Sequence, residues 1–453
     1  MDKNKIDMTS GAILPKMLKF ALPLMLSSVL QMLFNAADVI VVGQFGSENS
    51  LAAVGTPGSL VSFFADTCIG LSVGSTVLAS NYLGAGDRVG VSRIVHVTAA
   101  ISLALGISFM AVGSFFMKDI LTLLKAPAVV MPLALQYIYI IMPGVPAMAV
   151  YNFGAALLRA KGDTRRPLYY LFFAGVVNAL LNLYFVISWH MDVAGVALAT
   201  TISQYISAVL VVICLVRERD EFRLRLRFIR FERRAAARIL RVGIPAAFQS
   251  FVFYIANFTI QAQINTFGPV IMAGTAAAIN IENFVWVSMN GFQQAGMTFV
   301  SQNLGAGKFE RIDKSNRTAI TCAFVTGMVL GGSVVLFGRQ LLHIYTSNRQ
   351  MIEAGMIRLS MLSGIYGVCG IMDCLAANIR GLGWSTLPSV ISMVGACGFR
   401  LLWIFTLFQL PRFHTTFWLF MTYPVSWVVT IIPLWISYRL IRAKFPKTSE
   451  QTA

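Results

Sequence analysis

The sequence predicts an all-α integral membrane protein of twelve transmembrane helices, arranged as two parallel six-helix repeats. Three observations lead there. Of 453 residues, 57% are hydrophobic and only 12% charged, with a mean hydropathy of +0.71. A soluble domain carries roughly 25% charged residues, because its surface faces water. Apolar runs recur at the length that crosses a bilayer, about 20 residues. The second half also repeats the first at one constant offset along the chain.

Taken in order, the apolar runs fall at 17–43, 51–80, 93–117, 128–157, 167–188, 193–216, 239–266, 270–301, 317–338, 351–378, 386–410 and 416–438. The first follows a polar start, MDKNKIDMTSGAILPK. It is too long for a signal core of about 7 to 15 residues, so this helix is expected to be retained. Lys and Arg test the count independently, since they concentrate in cytoplasmic loops. With both termini cytoplasmic, 29 of the 36 basic residues fall on inner segments, five on outer loops (Lys118, Lys125, Arg339, Arg349 and Arg412), and two, Arg358 and Arg400, within spans. A miscounted helix would scramble that alternation.

The formal charge of +17 is therefore topological, and no nucleic-acid partner is expected. Ten basic residues lie in RERDEFRLRLRFIRFERRAAARILR (217–241), between spans six and seven. Its alternation of Arg with Phe, Leu and Ile predicts a segment lying on anionic headgroups, worth about 1 kcal/mol per basic residue. The expected layout is a first bundle over 1–216, a cytoplasmic basic linker over 217–238 and a second bundle over 239–453. The six cysteines (68, 214, 322, 369, 374 and 397) sit in apolar runs without metal spacing and read as packing residues. No nucleophile elbow, zinc motif or phosphate loop is present, so an enzyme is not expected. The loops are too short for an ATPase domain.

The repeat is specific. A shift of 221 lays NYLGAG (81–86) on QNLGAG (302–307) and RAKGDTRRP (159–167) on RGLGWSTLP (380–388). It also sets Leu51-Ala52 against Met272-Ala273, and a shift of 222 pairs Leu22-Pro23 with Ile244-Pro245. Each half has six spans, an even number, so both enter from the same side. Parallel repeats of this kind, rocking about a central cleft, are a recurrent transporter plan.

A charge at mid-bilayer costs at least about 2.5–3.5 kcal/mol on insertion scales, so a retained one marks a functional site by default. Four acids qualify: Asp38, Asp66, Glu282 and Asp373. Asp38 lies some 21 residues into an outward-running helix, hence in the outer leaflet half at about 1.5 Å per residue. Asn178 and Asn182, four apart and so on one face of helix five, share that depth with Thr200 of helix six. One acid and three neutral oxygen donors suit a hard cation such as Na⁺, and the acid equally suits a proton. Ordinary interhelical hydrogen bonding is the plainer reading of the asparagine pair. Glu282 and Arg400, both near mid-depth of the second half, are expected to form a buried ion pair. Asp66, Glu282, Asp373 and Arg400 are candidates for a substrate cleft or gate.

With these residues in place, the chain resembles the multidrug and toxic compound extrusion (MATE) family of bacterial drug/cation antiporters. The likeness spans essentially the full length. It rests on FALP (20–23), ADVIVVGQFGSENSLAAVG (37–55), the LGAG loops and the paired RxxG…P segments. FVSQNLGAG (299–307) is most similar to the branch of staphylococcal and clostridial drug exporters. The resemblance implies export of organic, often cationic, compounds across the plasma membrane in exchange for Na⁺ or H⁺, with no other cofactor. It implies a coupling-ion site at Asp38, Asn178, Asn182 and Thr200. The chain departs from some members, which carry an acid in helix seven where PAAFQSFVFY (245–254) has none. Cys369 likewise stands where those members have a helix-ten acid, and Asp373 is displaced by one turn. A monomer is expected. The competing readings are a flippase for lipid-linked sugars and a passive channel or scaffold.

Overall fold

The computed structural model describes residues 5–47, 50–123, 127 and 129–446. Glu48 and Asn49 of the 37–55 run, Lys125 and the extreme tails lie outside the described residues, as do the side chains of Leu51 and Ala52. Among the described residues twelve helices are long and apolar enough to cross a membrane. They are α1 (Ile13–Phe45), α2 (Ser50–Gly84), α3 (Arg88–Leu123), α4 (Met131–Lys161), α5 (Arg165–Ser188) and α6 (Asp192–Arg217). The second six are α7 (Arg233–Thr266), α8 (Pro269–Gly305), α9 (Phe309–Leu336), α10 (Arg349–Gly381), α11 (Thr386–Gln409) and α12 (Thr416–Arg442). The all-helical, twelve-span fold read from the sequence is the fold observed.

Helices overrun the apolar windows mainly at the ends rich in Lys and Arg. α3 starts at Arg88 instead of residue 93, α7 at Arg233 instead of 239, and α9 at Phe309 instead of 317. Hydropathy measures the hydrocarbon, whereas helical hydrogen bonding continues into the headgroups, where long basic side chains are solvated. Apolar faces turned outward carry large side chains such as Phe115, 80% exposed, and Val394, 67% exposed.

The internal repeat is written into the backbone. Gly86 and Gly307, just past α2 and α8, have φ of 72° and 65°; Gly162 and Gly383, past α4 and α10, have 97° and 90°. Only glycine adopts that conformation cheaply, which explains the glycines of the LGAG and RxxG segments. Single 3₁₀ turns interrupt α4 at Met142–Gly144 and α10 at Ser363–Ile365, again at equivalent positions. A π turn closes α5 at Tyr184–Ser188, and another lies inside α11 at Met393–Gly398; these do not correspond.

The chain folds as two compact units. The first holds Ile6, Leu26–Leu83 and Asp87–Gly243; the second holds Asp7–Met25, Gly84–Gly86 and the chain from Ile244 on. The first unit's core includes Val42, Met117, Ile138 and Val196. That of the second includes Ile260, Leu375, Ile404 and Trp427.

The basic linker behaves differently from expectation. Phe222 and Leu224 are buried in protein. The Leu224 amide donates to Leu215 O at 2.9 Å on α6, and the Arg225 amide to His96 Nε2 at 3.1 Å on α3. Only the later apolar residues, Leu226, Phe228 and Phe231, are exposed. The start of the linker is held by Lys161, whose Nζ donates to Glu218 at 2.5 Å and lies 2.8 Å from Asp220.

Candidate functional site

In the first unit, glycine sets the geometry. A Cβ on Gly175 would strike the Phe34 ring, so α1 approaches α5 closely there. Both helices run the same way, and Asp38 lies one turn beyond Phe34 while Asn178 and Asn182 lie one and two turns beyond Gly175. The far end of α1 is tied to the start of α6, where Ser47 Oγ donates to Asp192 Oδ2 at 2.8 Å. These contacts bring the four predicted residues together. Asn182 Nδ2 donates to Asp38 Oδ1 at 2.5 Å and Thr200 Oγ1 to Asp38 Oδ2 at 3.4 Å. Asn178 Nδ2 donates to Thr200 Oγ1 and Asn182 Nδ2 to Asn178 Oδ1, both at 3.3 Å.

The cluster is polar, closely packed and short of one partner. Asn182 is fully buried and its Oδ1 has no hydrogen-bond donor. A buried acceptor left unmade costs about 1–3 kcal/mol, and an ion that completes the set is one explanation for such an exception. Tyr137 of α4, buried, lies within electrostatic reach of Asp38. Sequence reasoning missed it; the signal available was that its equivalent in the second repeat is the intramembrane Arg358.

The second unit corrects one expectation. Glu282 does not pair with Arg400. It is held by Arg358, with Nη2 to Oε2 at 2.9 Å and Nε to the two carboxylate oxygens at 3.2 and 3.1 Å, both residues buried. Depth along a helix says nothing of azimuth. α8 and α10 touch through Gly274 and Gly355, where a Cβ on either would meet the other helix's backbone. Glu282 lies two turns beyond Gly274, and the long Arg358 side chain reaches it from just beyond Gly355. Arg400 instead donates from Nε to Ser426 Oγ at 2.9 Å and lies over the Tyr423 ring at 4.2 Å. Arg358 lies 5.3 Å from that same ring, so Tyr423 serves two guanidinium groups.

Asp373 accepts from the Cys369 thiol at 3.8 Å, with Trp286, Arg380 and Arg400 within electrostatic reach. Asp66 stands half-buried in α2. Among the described residues no group of three or more His, Cys, Asp or Glu side chains could hold a metal ion.

Comparison with known proteins gives this geometry its setting. The MatE family model matches twice, at residues 23–184 and 245–406, once in each half. "Probable multidrug resistance protein YpnP" of Bacillus subtilis is 26% identical over 388 residues, covering 86% of this chain and 87% of that protein. "Probable multidrug resistance protein NorM" of Thermotoga maritima is 26% identical over 392 residues, covering 85% and 84%. A crystal structure of MATE in complex with MaL6 superposes with a TM-score of 0.89 over 100% of both chains; at 22% identity it shows a shared fold. With a family match in each half, the chain belongs to the MatE family, the multidrug efflux transporters: multi-pass membrane proteins that move small molecules and are not enzymes.

Proposed function

We propose that this chain exports organic cations in exchange for Na⁺ or H⁺, with Asp38, Asn178, Asn182 and Thr200 as the coupling-ion site. The observation that carries the reading is a membrane-embedded carboxylate surrounded by neutral oxygen donors, with the buried Asn182 Oδ1 unpartnered beside it. A proton on Asp38 would cancel its charge. A sodium ion would do the same and take further oxygens from Asn178, from Thr200 and, after rotation of its amide, from Asn182. Either ion removes the cost of an uncompensated charge in hydrocarbon, so emptying and filling the site changes which conformation is favoured.

Alternating access by the two halves couples that ion to a drug moving the other way. The placement of Lys and Arg supports a plasma-membrane protein with both termini cytoplasmic, in which residues 217–238 link a bundle over 1–216 to one over 239–453. It acts as a monomer. Asp66, Glu282, Asp373 and Arg400 are assigned to the substrate path or its gating.

Ethidium efflux from vesicles reconstituted with the protein tests this directly. Efflux driven by an imposed Na⁺ or pH gradient is expected. Efflux that persists unchanged after both gradients are dissipated would sink antiport.

A further inference from the structure

The two units differ at one equivalent place on their surfaces. In the second unit a cavity of about 720 Å³ opens between α9, α10 and α12. Its walls are apolar, formed by Ile320, Ile371, Leu375 and Ile431, and its rim carries Arg317 and Arg439. The place in the first unit that the repeat makes equivalent lies between His96 on α3 and the end of α6. There the linker folds back, bonds Leu215 O and His96, and buries Phe222 and Leu224. One unit fills this groove with its own chain. In the other, the chain leaving α12 turns away to stack Phe445 on Phe309, ring centroids 6.1 Å apart.

The rim charge says what fits. Asp313 is already engaged, accepting from Arg442 Nε and Tyr438 OH, both at 3.0 Å. Arg317 and Arg439 are exposed and, among the described residues, have no carboxylate partner. The Arg439 guanidinium is held in place over the Trp435 ring at 3.7 Å. Arg439 is three residues from the end of α12 and Arg317 eight from the start of α9, about 5 and 12 Å along their axes. That is headgroup depth, with the apolar walls beneath it. Two exposed guanidinium groups with no carboxylate partner among the described residues, above an apolar slot between membrane helices, match an anionic phosphate on acyl chains.

We infer that this groove binds an anionic phospholipid, its phosphate on Arg317 and Arg439 and an acyl chain along Ile320, Ile371 and Leu375. Trp435 reports on it. In the full-length protein in phosphatidylcholine nanodiscs, the fluorescence lost on Trp435→Phe is the signal to follow. A minor fraction of chain-brominated phosphatidylglycerol should quench that component, and the same fraction of brominated phosphatidylcholine should not. Arg317→Gln and Arg439→Gln should each weaken the preference about fivefold. Ile320→Phe, which narrows the slot and leaves the charge alone, should abolish the quenching and serves if the arginine variants do not fold. Equal quenching by the two lipids overturns the proposal, as does unchanged preference in the variant that folds. Displacement of the brominated lipid by millimolar inorganic phosphate also overturns it, since a free anion would then suffice.

Discussion

In the first unit a membrane-embedded carboxylate, Asp38, meets two amides and a hydroxyl, whereas in the second Glu282 meets the bidentate guanidinium of Arg358. The two acids stand on non-equivalent helices, α1 and α8, and their charge balance differs too. Neither the 222 offset of the first helix nor the 221 offset of the later ones sets an acid or an amide opposite Asp38, Asn178, Asn182 or Thr200. The residue facing Asp38 from α4 is the neutral Tyr137, and its equivalent on α10 is Arg358 itself. A buried acid needs a counter-charge. The second unit supplies its own in Arg358; under the proposed function, the first takes it from the coupling cation.

The largest expected effect comes from erasing the contrast at its source. Asp38→Asn should reduce gradient-driven ethidium efflux to that of protein-free vesicles, and retained efflux would remove the ion-site assignment. Supplying the missing charge should do the same by another route. Tyr137→Arg gives Asp38 an internal partner, so the protein should still fold while Na⁺ and pH lose their influence on transport.

Breaking the closed pair instead should cost stability. Arg358→Met leaves Glu282 buried and unpaired, a loss of about 3–5 kcal/mol. The double variant Glu282→Gln/Arg358→Met should recover much of it, read as the melting temperature of the solubilised protein. A recovery of nothing would mean that Arg358 matters for its stacking on Phe420 and Tyr423.

Matched glycine substitutions sharpen the comparison. Gly175→Ala and Gly274→Ala should each destabilise by about 1–3 kcal/mol through overpacking. Only Gly175→Ala, which pushes Phe34 and with it Asp38, should also weaken ion dependence. Equal effects on ion dependence would show that α1 and α5 do not set the site.

The smallest effect concerns an acid outside the spans. Partial burial pulls the Asp7 carboxyl up, but bonds from Ser10 and Thr9 and the Lys16 ammonium outweigh it and hold it at about 2. Because the folded value lies below the usual 3.8, its contribution is complete above about pH 4 and is lost as pH falls towards 2. Amide exchange at residues 9–11, next to the carbonyls that accept from Lys308 and Arg311, should be faster in Asp7→Asn than in wild type at neutral pH. The difference should close near pH 2.

Much of this was legible in the residues. Twelve spans follow from the hydrocarbon ruler, and the repeat from LGAG and RxxG, whose glycines prove to occupy left-handed turns. The Asp38 cluster could be gathered because depth along parallel helices and the i, i+4 spacing of Asn178 and Asn182 leave few arrangements. Depth failed for Glu282, where two arginines lay within reach and only helix azimuth, set by Gly274 and Gly355, chose between them. The linker was misjudged for a related reason. Its Arg/apolar alternation suits a lipid surface or a protein groove equally, and what decides is whether α3 and α6 leave a slot for Phe222 and Leu224.

That slot has a consequence for anyone who takes the molecule apart. Phe222 and Leu224 come after the last helix of the first half yet complete its surface. A fragment ending at Arg217 would expose an apolar seam and invite aggregation, while one ending near Ile229 would carry its own cover. Chimeras that exchange halves between relatives face the same choice of junction, and a cut at the helix boundary is the wrong one.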